Sequence, residues 1–332
     1  MDRVSFYLKE SFEKNHLSNF GPAYQLLVEK LKEFLQLDSS KDLLLTTSGH
    51  TALMAAYGAF NLGCITLPSY TFKSTENAAT LQGIAIQHLE PNEKTGCIDR
   101  VPLGFFEMKK AGYVAVCALS TIPDLKSLHY AIGPSINKPK LIIDGAASFG
   151  TPDIYNQGDA FCLSFHATKT MPIGECGALI ASKEVIAKAK QFINFGFDKD
   201  RNPVMPGMNA KVSDYTCAIG LALLEKMPEA IQKRNQFRDI YLKELSSMIP
   251  KSYHDNTTYQ AMPIFAWNDF THAKRIRAKL KEANIEFLQY YRPLITTHPT
   301  TDMLYQTNIC LPCHQDLTSE EVEFICKKVK SA

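Results

Sequence analysis

Apolar residues follow two alternating patterns along the first two thirds of the chain. Residues 23 to 37 carry apolar side chains at helical spacing, and this spacing predicts a helix. Short apolar runs then alternate with further helical patterns. The runs predict strands at residues 43–45, 64–67, 84–88, 114–117, 141–144, 161–165 and 177–181, with helices over 49–60 and from about 74. Because most runs are continuous rather than alternating with polar residues, they indicate a parallel sheet covered by helices on both faces.

The last third of the chain is organised differently. A loop rich in Gly, Pro, Asn and Asp spans about 196–209, and a helical pattern follows from Ser213, as its N-cap, to about Met248. Beyond it the pattern predicts strands at 263–267, 286–289 and 309–311 and helices at 272–283 and 319–330. We therefore predict a large domain at residues 1–225, which includes the N-terminal segment 1–22, and a small C-terminal domain at residues 226–332.

Composition and charge narrow the classes of function. The 332 residues are 45% apolar, enough for a sizeable core, and 36 Lys and Arg against 34 Asp and Glu give a net charge of +2. Since there is no long basic run, we expect no nucleic-acid partner. No apolar stretch reaches about 18 residues, and the first residues lack the apolar block of a signal peptide. We therefore expect a cytoplasmic protein with no membrane partner.

The chain has nine cysteines, most of them in apolar segments. Cys64, Cys117, Cys162 and Cys217 are expected to be small buried side chains in a reducing compartment. The run Cys310-Leu311-Pro312-Cys313-His314 has the spelling of a c-type haem attachment site and also of a redox pair. Because haem attachment needs export and the run lies in a short apolar strand, we interpret the spelling as coincidence.

Candidate chemistry begins with two residues that follow predicted strands. Asp144 ends the strand 141–144, and Lys169 lies just beyond the strand 161–165. This pairing suits pyridoxal phosphate (PLP). A carboxylate keeps the pyridine nitrogen protonated, so that the ring acts as an electron sink, and a lysine amine forms a Schiff base with the aldehyde. The same amine can move a proton during amino transfer. We expect no metal site.

A phosphate site is predicted where the first strand turns into the helix 49–60. Gly49, His50 and Thr51 open this helix. Backbone N–H groups and the helix dipole favour an anion at such an end, and glycine allows close approach. A plain N-capped helix is the alternative interpretation.

The ordered set of motifs resembles the DegT/DnrJ/EryC1/StrS family of nucleotide-sugar aminotransferases. The motifs are Asn19 to Pro22, Thr47 to Leu53, Leu67 to Phe72, Asp144 to Gly150, Ser164 to Lys169, Gly207 to Asp214 and Leu311-Pro312. The resemblance covers nearly the whole chain. It implies an α/β fold of PLP fold type I, similar to aspartate aminotransferase. In that fold a mostly parallel sheet lies between layers of helices, beside a smaller C-terminal α/β domain.

The resemblance also implies roles for individual residues. Phe72 is expected over the cofactor ring, with Tyr70 as the competitor, because a flat aromatic stacks on pyridine. Ser164 is expected to hydrogen-bond the phosphate. Asn209 is expected to reach the cofactor phosphate of a partner subunit, which implies a homodimer with shared active sites. A surface asparagine at a helix start is the alternative interpretation of Asn209.

Two of the expected cofactor-binding positions depart from the family's pattern, as does Cys176, which stands where the family often has glycine. His50 stands where threonine is common, so that a hydroxyl contact would pass to Thr51. Ala147 stands where glutamine or histidine is common near the cofactor's ring hydroxyl, so that this contact would fall to water or to Ser148.

Three further residues are expected near the substrate. Tyr291 and Arg292 belong to the segment Tyr290 to Leu294, which matches a family segment at the substrate mouth. His166 lies between Ser164 and Lys169, and an ordinary packed histidine explains it equally well.

The resemblance implies PLP-dependent transamination of a nucleotide-linked keto sugar, with glutamate as the expected amino donor. Such a reaction belongs to amino-sugar biosynthesis, for example of a polysaccharide or O-antigen. One alternative is a PLP-dependent sugar dehydratase or eliminase on the same fold. Lys169 argues against it, because some dehydratases resembling this family carry histidine there. The other alternative is a non-catalytic, PLP-binding regulatory relative.

Overall fold

The structure is a computed structural model that describes residues 2–98, 110–124, 139–249, 257–267 and 269–332. Its elements in chain order are α1 (Asp2–Glu13), α2 (Pro22–Phe34), β1 (Lys41–Thr46), α3 (Gly49–Phe60), β2 (Cys64–Pro68), α4 (Lys73–Thr80), β3 (Ala85–Leu89), β4 (Ala111–Val116), β5 (Lys140–Asp144), β6 (Ala160–Ser164), β7 (Gly177–Ser182), α5 (Lys183–Phe192), α6 (Asp214–Leu224), α7 (Met227–Leu245), β8 (Met262–Phe265), α8 (Phe270–Glu282), α9 (Pro299–Thr307), β9 (Asn308–Leu311) and α10 (Ser319–Lys330). No helix in these described ranges is both long enough and apolar enough to cross a bilayer.

Seven strands form one sheet in the order β1-β7-β6-β5-β4-β2-β3. The neighbours among β2 to β6 run parallel, whereas β7 runs antiparallel to both β1 and β6. The mostly parallel sheet predicted from the apolar runs is therefore confirmed. Because β5 lies beside β6 with Asp144 opposite Cys162, the carboxyl ends of these two strands meet at one edge of the sheet.

The sheet is covered on both faces, as its continuous apolar runs predicted. Every residue of β4 is buried. Val114 and Val116 face the apolar layer that contains α3 and α5, whereas Tyr113 and Ala115 face the layer that contains α2 and α6. Successive side chains of a strand point to opposite faces, so a strand buried on both sides needs apolar residues throughout.

The C-terminal part of the chain packs around a second, smaller sheet. β8 and β9 pair antiparallel and join α7, α8 and α10 in one apolar cluster. Arg234 of α7 is only 4% exposed, and it donates hydrogen bonds to the carbonyls of Tyr259 and Gln260 at 3.2 Å and to that of Cys313. This buried guanidinium holds the segment that leads into β8. The division of the chain at residue 225 remains a prediction.

Two predicted elements are wrong in detail. The single helix predicted from Ser213 to Met248 is two helices, α6 and α7, because Pro228 is the second residue of α7. A proline lacks the N–H and its ring clashes with the carbonyl four residues earlier, so α6 ends at that carbonyl, in Leu224. The strand predicted at 286–289 makes only one bridge, between Leu288 and Cys310, since the next amide, of Tyr290, donates to the Asn308 side chain. The helices α1, α5 and α9 were not predicted.

All nine cysteines are buried, and none of them forms a disulfide bond in the described structure. The thiols of Cys310 and Cys313 donate to different acceptors, the Asn308 side-chain oxygen and the Arg234 carbonyl. Burial raises the pKa of Cys310 to about 12 and that of Cys313 to about 11. Both thiols are thus protonated at neutral pH and poor nucleophiles, which supports the interpretation of the Cys-x-x-Cys-His spelling as coincidence.

Gly177 lets β7 pass directly against the turn into α3. A Cβ atom at Gly177 would lie 2.3 Å from the carbonyl carbon of Ser48 and 2.5 Å from the nitrogen of Gly49. We expect Gly177→Ala to lower the free energy of unfolding by about 1–3 kcal/mol, the usual range for overpacking. Urea denaturation measures the change. Lys183→Ala, at an exposed residue just after the same strand, is the control and should leave the midpoint unchanged. An unchanged midpoint for Gly177→Ala would contradict the steric argument.

Candidate active site

A cavity of about 380 Å³ lies at the edge where the central parallel strands end. Asp144 ends β5, Ser164 ends β6, and the residues just after β4 complete this wall. The start of α3 forms a second wall. Residues from the C-terminal part of the chain complete the lining of the cavity, namely Gln260, Ala261, Tyr290, Tyr291 and Cys310. In parallel α/β sheets this edge is where ligands bind.

Asp144 brings a carboxylate into the cavity with few compensating contacts. The side chain is 6% exposed; it accepts hydrogen bonds from the Thr75 hydroxyl at 2.7 Å and from the Ala146 amide at 3.2 Å. Burial raises the pKa of the Asp144 carboxyl, although both hydrogen bonds and the positive charge of Lys169 oppose the rise. The site therefore suits a cationic partner that would compensate this buried negative charge.

Lys169 brings an amine into the same cavity from the loop after β6. Its amine donates to the Gln260 side-chain oxygen at 3.0 Å. Burial lowers the pKa of the Lys169 amine, and the negative charge of Asp144 only partly opposes this. A lowered pKa increases the neutral fraction of an amine, which is the nucleophilic form.

The turn from β1 into α3 has the geometry of an anion site. Ser48 caps α3 by accepting from the Thr51 amide at 3.2 Å, and the Thr51 hydroxyl accepts in return from the Ser48 amide at 2.9 Å. The amides of Gly49 and His50 lie in the first turn, where N–H groups have no partner within the helix. A side chain at Gly49 would meet the Cβ atom of Ser164 at 2.8 Å, so the turn and the end of β6 are in close contact.

The backbone between Leu119 and Ser120 is held in a left-handed conformation beside the cavity. The φ angles are 52° and 69°, which non-glycine residues adopt at a cost of about 1–2 kcal/mol each. Two contacts account for it. The Leu119 amide donates to the Tyr291 hydroxyl at 3.2 Å, and the Ser120 hydroxyl donates to the Ala147 carbonyl at 2.6 Å. This strained turn thus ties the end of β4 to two other walls of the cavity.

Most of the residues predicted from the sequence meet at this cavity. Those that line it are Gly49, His50, Phe72, Asp144, Ala147, Ser164, His166, Lys169 and Tyr291. Thr51, Asn209 and Arg292 do not. The Thr51 hydroxyl belongs to the helix cap, and Arg292 is exposed. Asn209 is also exposed, where its side-chain oxygen accepts from Lys211 at 2.8 Å.

The two aromatic candidates after β2 differ in position. Phe72 lines the cavity and is 60% exposed, so it lies at the mouth. Tyr70 is fully buried and donates to the Tyr290 carbonyl at 2.7 Å. Of these two candidates, Phe72 is therefore the one with access to a ligand.

The rim and the α3 wall carry two histidines with defined contacts. The His50 ring nitrogen Nδ1 lies 2.9 Å from the Ser74 hydroxyl at the start of α4. His166 lies 3.0 Å from the Thr168 hydroxyl and 3.6 Å from the Glu175 carboxylate. His166 is therefore not packed in the core, and its ring has two polar contacts at the rim of the cavity.

Ala147 and Ser148 were expected to decide how a ring hydroxyl is bound. Ala147 offers the cavity only a methyl group and its backbone. The Ser148 hydroxyl is fully buried and donates to the Gly145 carbonyl at 2.8 Å. Ser148 does not line the cavity, so the suggestion that it replaces the missing side chain is not favoured.

Three residues of the site were not predicted from the sequence: Thr75, which contacts Asp144, and Ser120 and Gln260, which line the cavity. Thr75 and Ser120 are hydroxyl residues without any motif around them, and Gln260 lies in an irregular segment before β8. The only usable signal was the position of Thr75, near the start of the helix predicted from about residue 74. Ser120 and Gln260 reach the site through long-range packing, which local sequence patterns do not encode.

Comparisons with known proteins place the chain in one family. The sequence profile described as the DegT/DnrJ/EryC1/StrS aminotransferase family matches residues 3–330. The chain is similar to a dTDP-4-amino-4,6-dideoxy-D-glucose transaminase from Shigella dysenteriae, with 27% identity over 98% of this chain and 94% of the relative. It is also similar to a UDP-4-amino-4,6-dideoxy-N-acetyl-beta-L-altrosamine transaminase from Campylobacter jejuni, with 24% identity over 94% of this chain and 90% of the relative.

Solved structures share the fold. A putative PLP-dependent aminotransferase from Bacillus cereus superimposes with a TM-score of 0.87 at 23% identity, covering 99% of this chain and 96% of that one. The Bacillus subtilis protein NtdA with bound cofactor PMP also gives 0.87, at 21% identity, covering 99% of this chain and 81% of that one. The fold expected from the resemblance is thereby confirmed.

The raised pKa of Asp144 has a consequence for the stability of the chain without cofactor. Between the ordinary pKa of 3.8 and the raised value, the folded chain binds more protons at this carboxyl than the unfolded chain does. The free energy of unfolding therefore falls as pH rises through that window. We expect Asp144→Asn to reduce this fall.

Urea unfolding across a pH series, on the wild type and on Asp144→Asn, measures the effect. Asp239→Asn is the matched control, because it removes a carboxylate that is 65% exposed. A pH dependence of Asp144→Asn equal to that of the wild type would show that the carboxyl is not destabilised by burial.

Proposed function

The chain belongs to the DegT/DnrJ/EryC1/StrS aminotransferase family, and on this premise we propose that it uses PLP to transfer an amino group from an amino acid to a keto sugar carried by a nucleotide. The observation that carries the proposal is that Asp144 and Lys169 line one cavity together with the helix-capping turn at Gly49. An acid, an amine and an anion-binding turn are the three groups that hold PLP.

The chemistry of these residues fits that cofactor. Burial raises the pKa of the Asp144 carboxyl although Lys169 partly opposes the rise, and a protonated pyridine nitrogen would supply a further cationic partner. The phosphate would lie against the first amides of α3 and the Ser164 hydroxyl, where the side-chain-free Gly49 permits close approach. When bound, PLP withdraws electrons from the reacting carbon and carries the amino group between donor and acceptor.

The protein's own groups then have separable tasks. Asp144 would keep the ring nitrogen protonated, and Thr75 would orient that carboxylate through its 2.7 Å hydrogen bond. The Lys169 amine, whose pKa is lowered by burial, would bind the aldehyde and afterwards move a proton at the reacting carbon. Phe72 at the mouth would cover the exposed side of the ring and exclude water.

The substrate class rests on the relatives. The Shigella and Campylobacter proteins are named as transaminases of a dTDP sugar and of a UDP sugar, and each spans nearly the same length as this chain. We therefore propose a nucleotide-linked keto sugar as acceptor and glutamate as donor, in amino-sugar biosynthesis. The dehydratase or eliminase alternative is not favoured, because the Shigella and Campylobacter relatives are both named as transaminases and Lys169 is present.

We also propose a homodimer with shared sites. Asn209 lies outside the cavity of its own chain, in a loop that exposes Phe195 by 50% and Val204 by 54%. Large exposed apolar side chains around a polar loop are typical of a subunit interface. Through such an interface Asn209 would reach the phosphate held by the partner's turn.

The cofactor proposal predicts a defined absorbance change. Purified protein with PLP should show a band near roughly 410–430 nm, typical of PLP bound to a lysine, and glutamate should bleach it. Lys169→Ala should lack the band, retain PLP through its phosphate, and show no turnover. Lys188→Ala, at an exposed lysine, is the matched control and should behave as the wild type.

Borohydride reduction followed by peptide mapping identifies the lysine that carries PLP. Label on a lysine other than Lys169 would contradict the assignment. Incubation with a nucleotide keto sugar and glutamate then separates the reaction classes by their sugar products: amino transfer yields an amino sugar that retains the nitrogen of glutamate, whereas elimination yields a deoxygenated sugar without a new amino group.

The shared-site proposal predicts complementation between two inactive variants. Asn209→Asp would place a negative charge against the partner's phosphate, and Lys169→Ala removes the amine. In a mixed dimer one site then carries both lesions and the other carries neither. Refolding equal amounts of the two chains should recover about a quarter of wild-type activity by random pairing.

The matched control mixes Lys169→Ala with Asp144→Asn. Both residues line the cavity of a single chain, so each site of the mixed dimer remains damaged and no activity should return. Equal recovery in both mixtures, or none in the first after mass spectrometry has confirmed chain exchange, would refute the shared site.

A further inference from the structure

Gln260 reaches the amine of Lys169 from a segment 91 residues away, with 3.0 Å between Gln260 Oε1 and Lys169 Nζ. Its backbone is fixed on both sides. The Gln260 amide donates to the Ser120 hydroxyl at 3.2 Å, and the Gln260 carbonyl accepts from the buried guanidinium of Arg234 at 3.2 Å. A backbone held in this way aims the side chain into the cavity that it lines.

The lysine determines which end of the Gln260 amide faces it. The Lys169 amine donates to Gln260 Oε1, so the NH₂ group of this amide points away from the lysine. Within the described part of the chain, this NH₂ group has no hydrogen-bond partner. The cavity therefore contains an oriented, unused donor beside the reactive amine.

Gln260 is also linked through Ser120 to Ala147, which offers the cavity no polar side chain. The Ser120 hydroxyl that accepts from the Gln260 amide itself donates to the carbonyl of Ala147 at 2.6 Å. Ala147 contributes only a methyl group there, and the Ser148 hydroxyl is occupied by the Gly145 carbonyl. An acceptor oxygen bound at this wall would find its donor on Gln260.

We propose that Gln260 is a further cofactor-binding residue, whose side-chain NH₂ donates a hydrogen bond to the ring hydroxyl oxygen of PLP. This inference rests on the proposed function. In PLP the ring oxygen is attached to the carbon next to the one that bears the aldehyde. The Lys169 amine would bind this aldehyde, and Gln260 contacts that amine. The Gln260 side chain would therefore lie close to the ring oxygen.

The proposal predicts a change in a spectroscopic pKa. In the lysine-bound cofactor the lysine nitrogen and the ring oxygen share one proton, and its loss leaves the oxygen negatively charged. A donor to that oxygen stabilises the deprotonated form and lowers the pKa. The other ionisable residues around the cavity are the same in the wild type and in both Gln260 variants. They are His50, Cys117, Asp144, His166, Glu175, Tyr290, Tyr291 and Cys310, together with Arg234, which binds the Gln260 carbonyl.

The test is a pH titration of the absorbance band of the PLP-loaded full chain, without substrate. Gln260→Met keeps the length of the side chain but removes the donor, and should raise the pKa by about one unit. Gln260→Glu replaces the donor by a carboxylate, and should raise the pKa further. Retention of the band in each variant reports that the chain is folded and loaded.

A rescue distinguishes this role from a structural one. Ala147→Gln introduced into the Gln260→Met chain supplies an amide from the neighbouring wall, and should return the pKa toward the wild-type value. If the absorbance bands of Gln260→Met and Gln260→Glu both titrate with the same pKa as that of the wild type, the inference is overturned and the proposed function remains intact. If the wild type itself shows no lysine-bound band, the proposed function fails and this inference fails with it.

Discussion

The burial of one negative charge is the constraint around which this site is arranged. Asp144 ends a central strand of the sheet, where it is nearly inaccessible to solvent, and its two hydrogen bonds do not restore its pKa to the ordinary value. Lys169 brings the opposite charge into the same cavity, but its own burial lowers its pKa. Both charges are therefore incompletely compensated by the protein. A pyridine ring with a protonated nitrogen and an aldehyde would satisfy them together, which explains why a protein of this family tolerates two destabilised groups in its interior.

The walls of the cavity come from distant parts of the sequence. The sheet supplies the acid and the lysine loop, whereas the wall from the C-terminal part of the chain includes Gln260, two tyrosines and Cys310. Arg234 fixes that wall from behind by binding the carbonyls of Tyr259 and Gln260. The position of the C-terminal part of the chain is consequently linked to the geometry of Lys169 through a short series of hydrogen bonds. A displacement of this part would alter the site without any change in the sheet.

Local patterns explain why much of the fold was predictable. The strands of a buried parallel sheet are continuous apolar runs, so β2, β5 and β6 and the residues at their ends could be recognised. The break between α6 and α7 was missed because helical periodicity on both sides outweighed Pro228. Thr75, Ser120 and Gln260 were missed for a different reason. Their contacts with Asp144, Ala147 and Lys169 join residues between 27 and 91 positions apart, and no local pattern reports such contacts.

The turn before α3 is complete without any ligand. Ser48 and Thr51 satisfy each other's backbone amides, so the first turn of the helix is fixed by the chain itself. The conformational entropy lost in ordering this turn therefore belongs to the free energy of folding and does not reduce the affinity for an anion. If phosphate binds at Gly49 and His50 as proposed, it would meet a turn that the chain itself holds in place, and its association would require removal of water rather than rearrangement of the backbone.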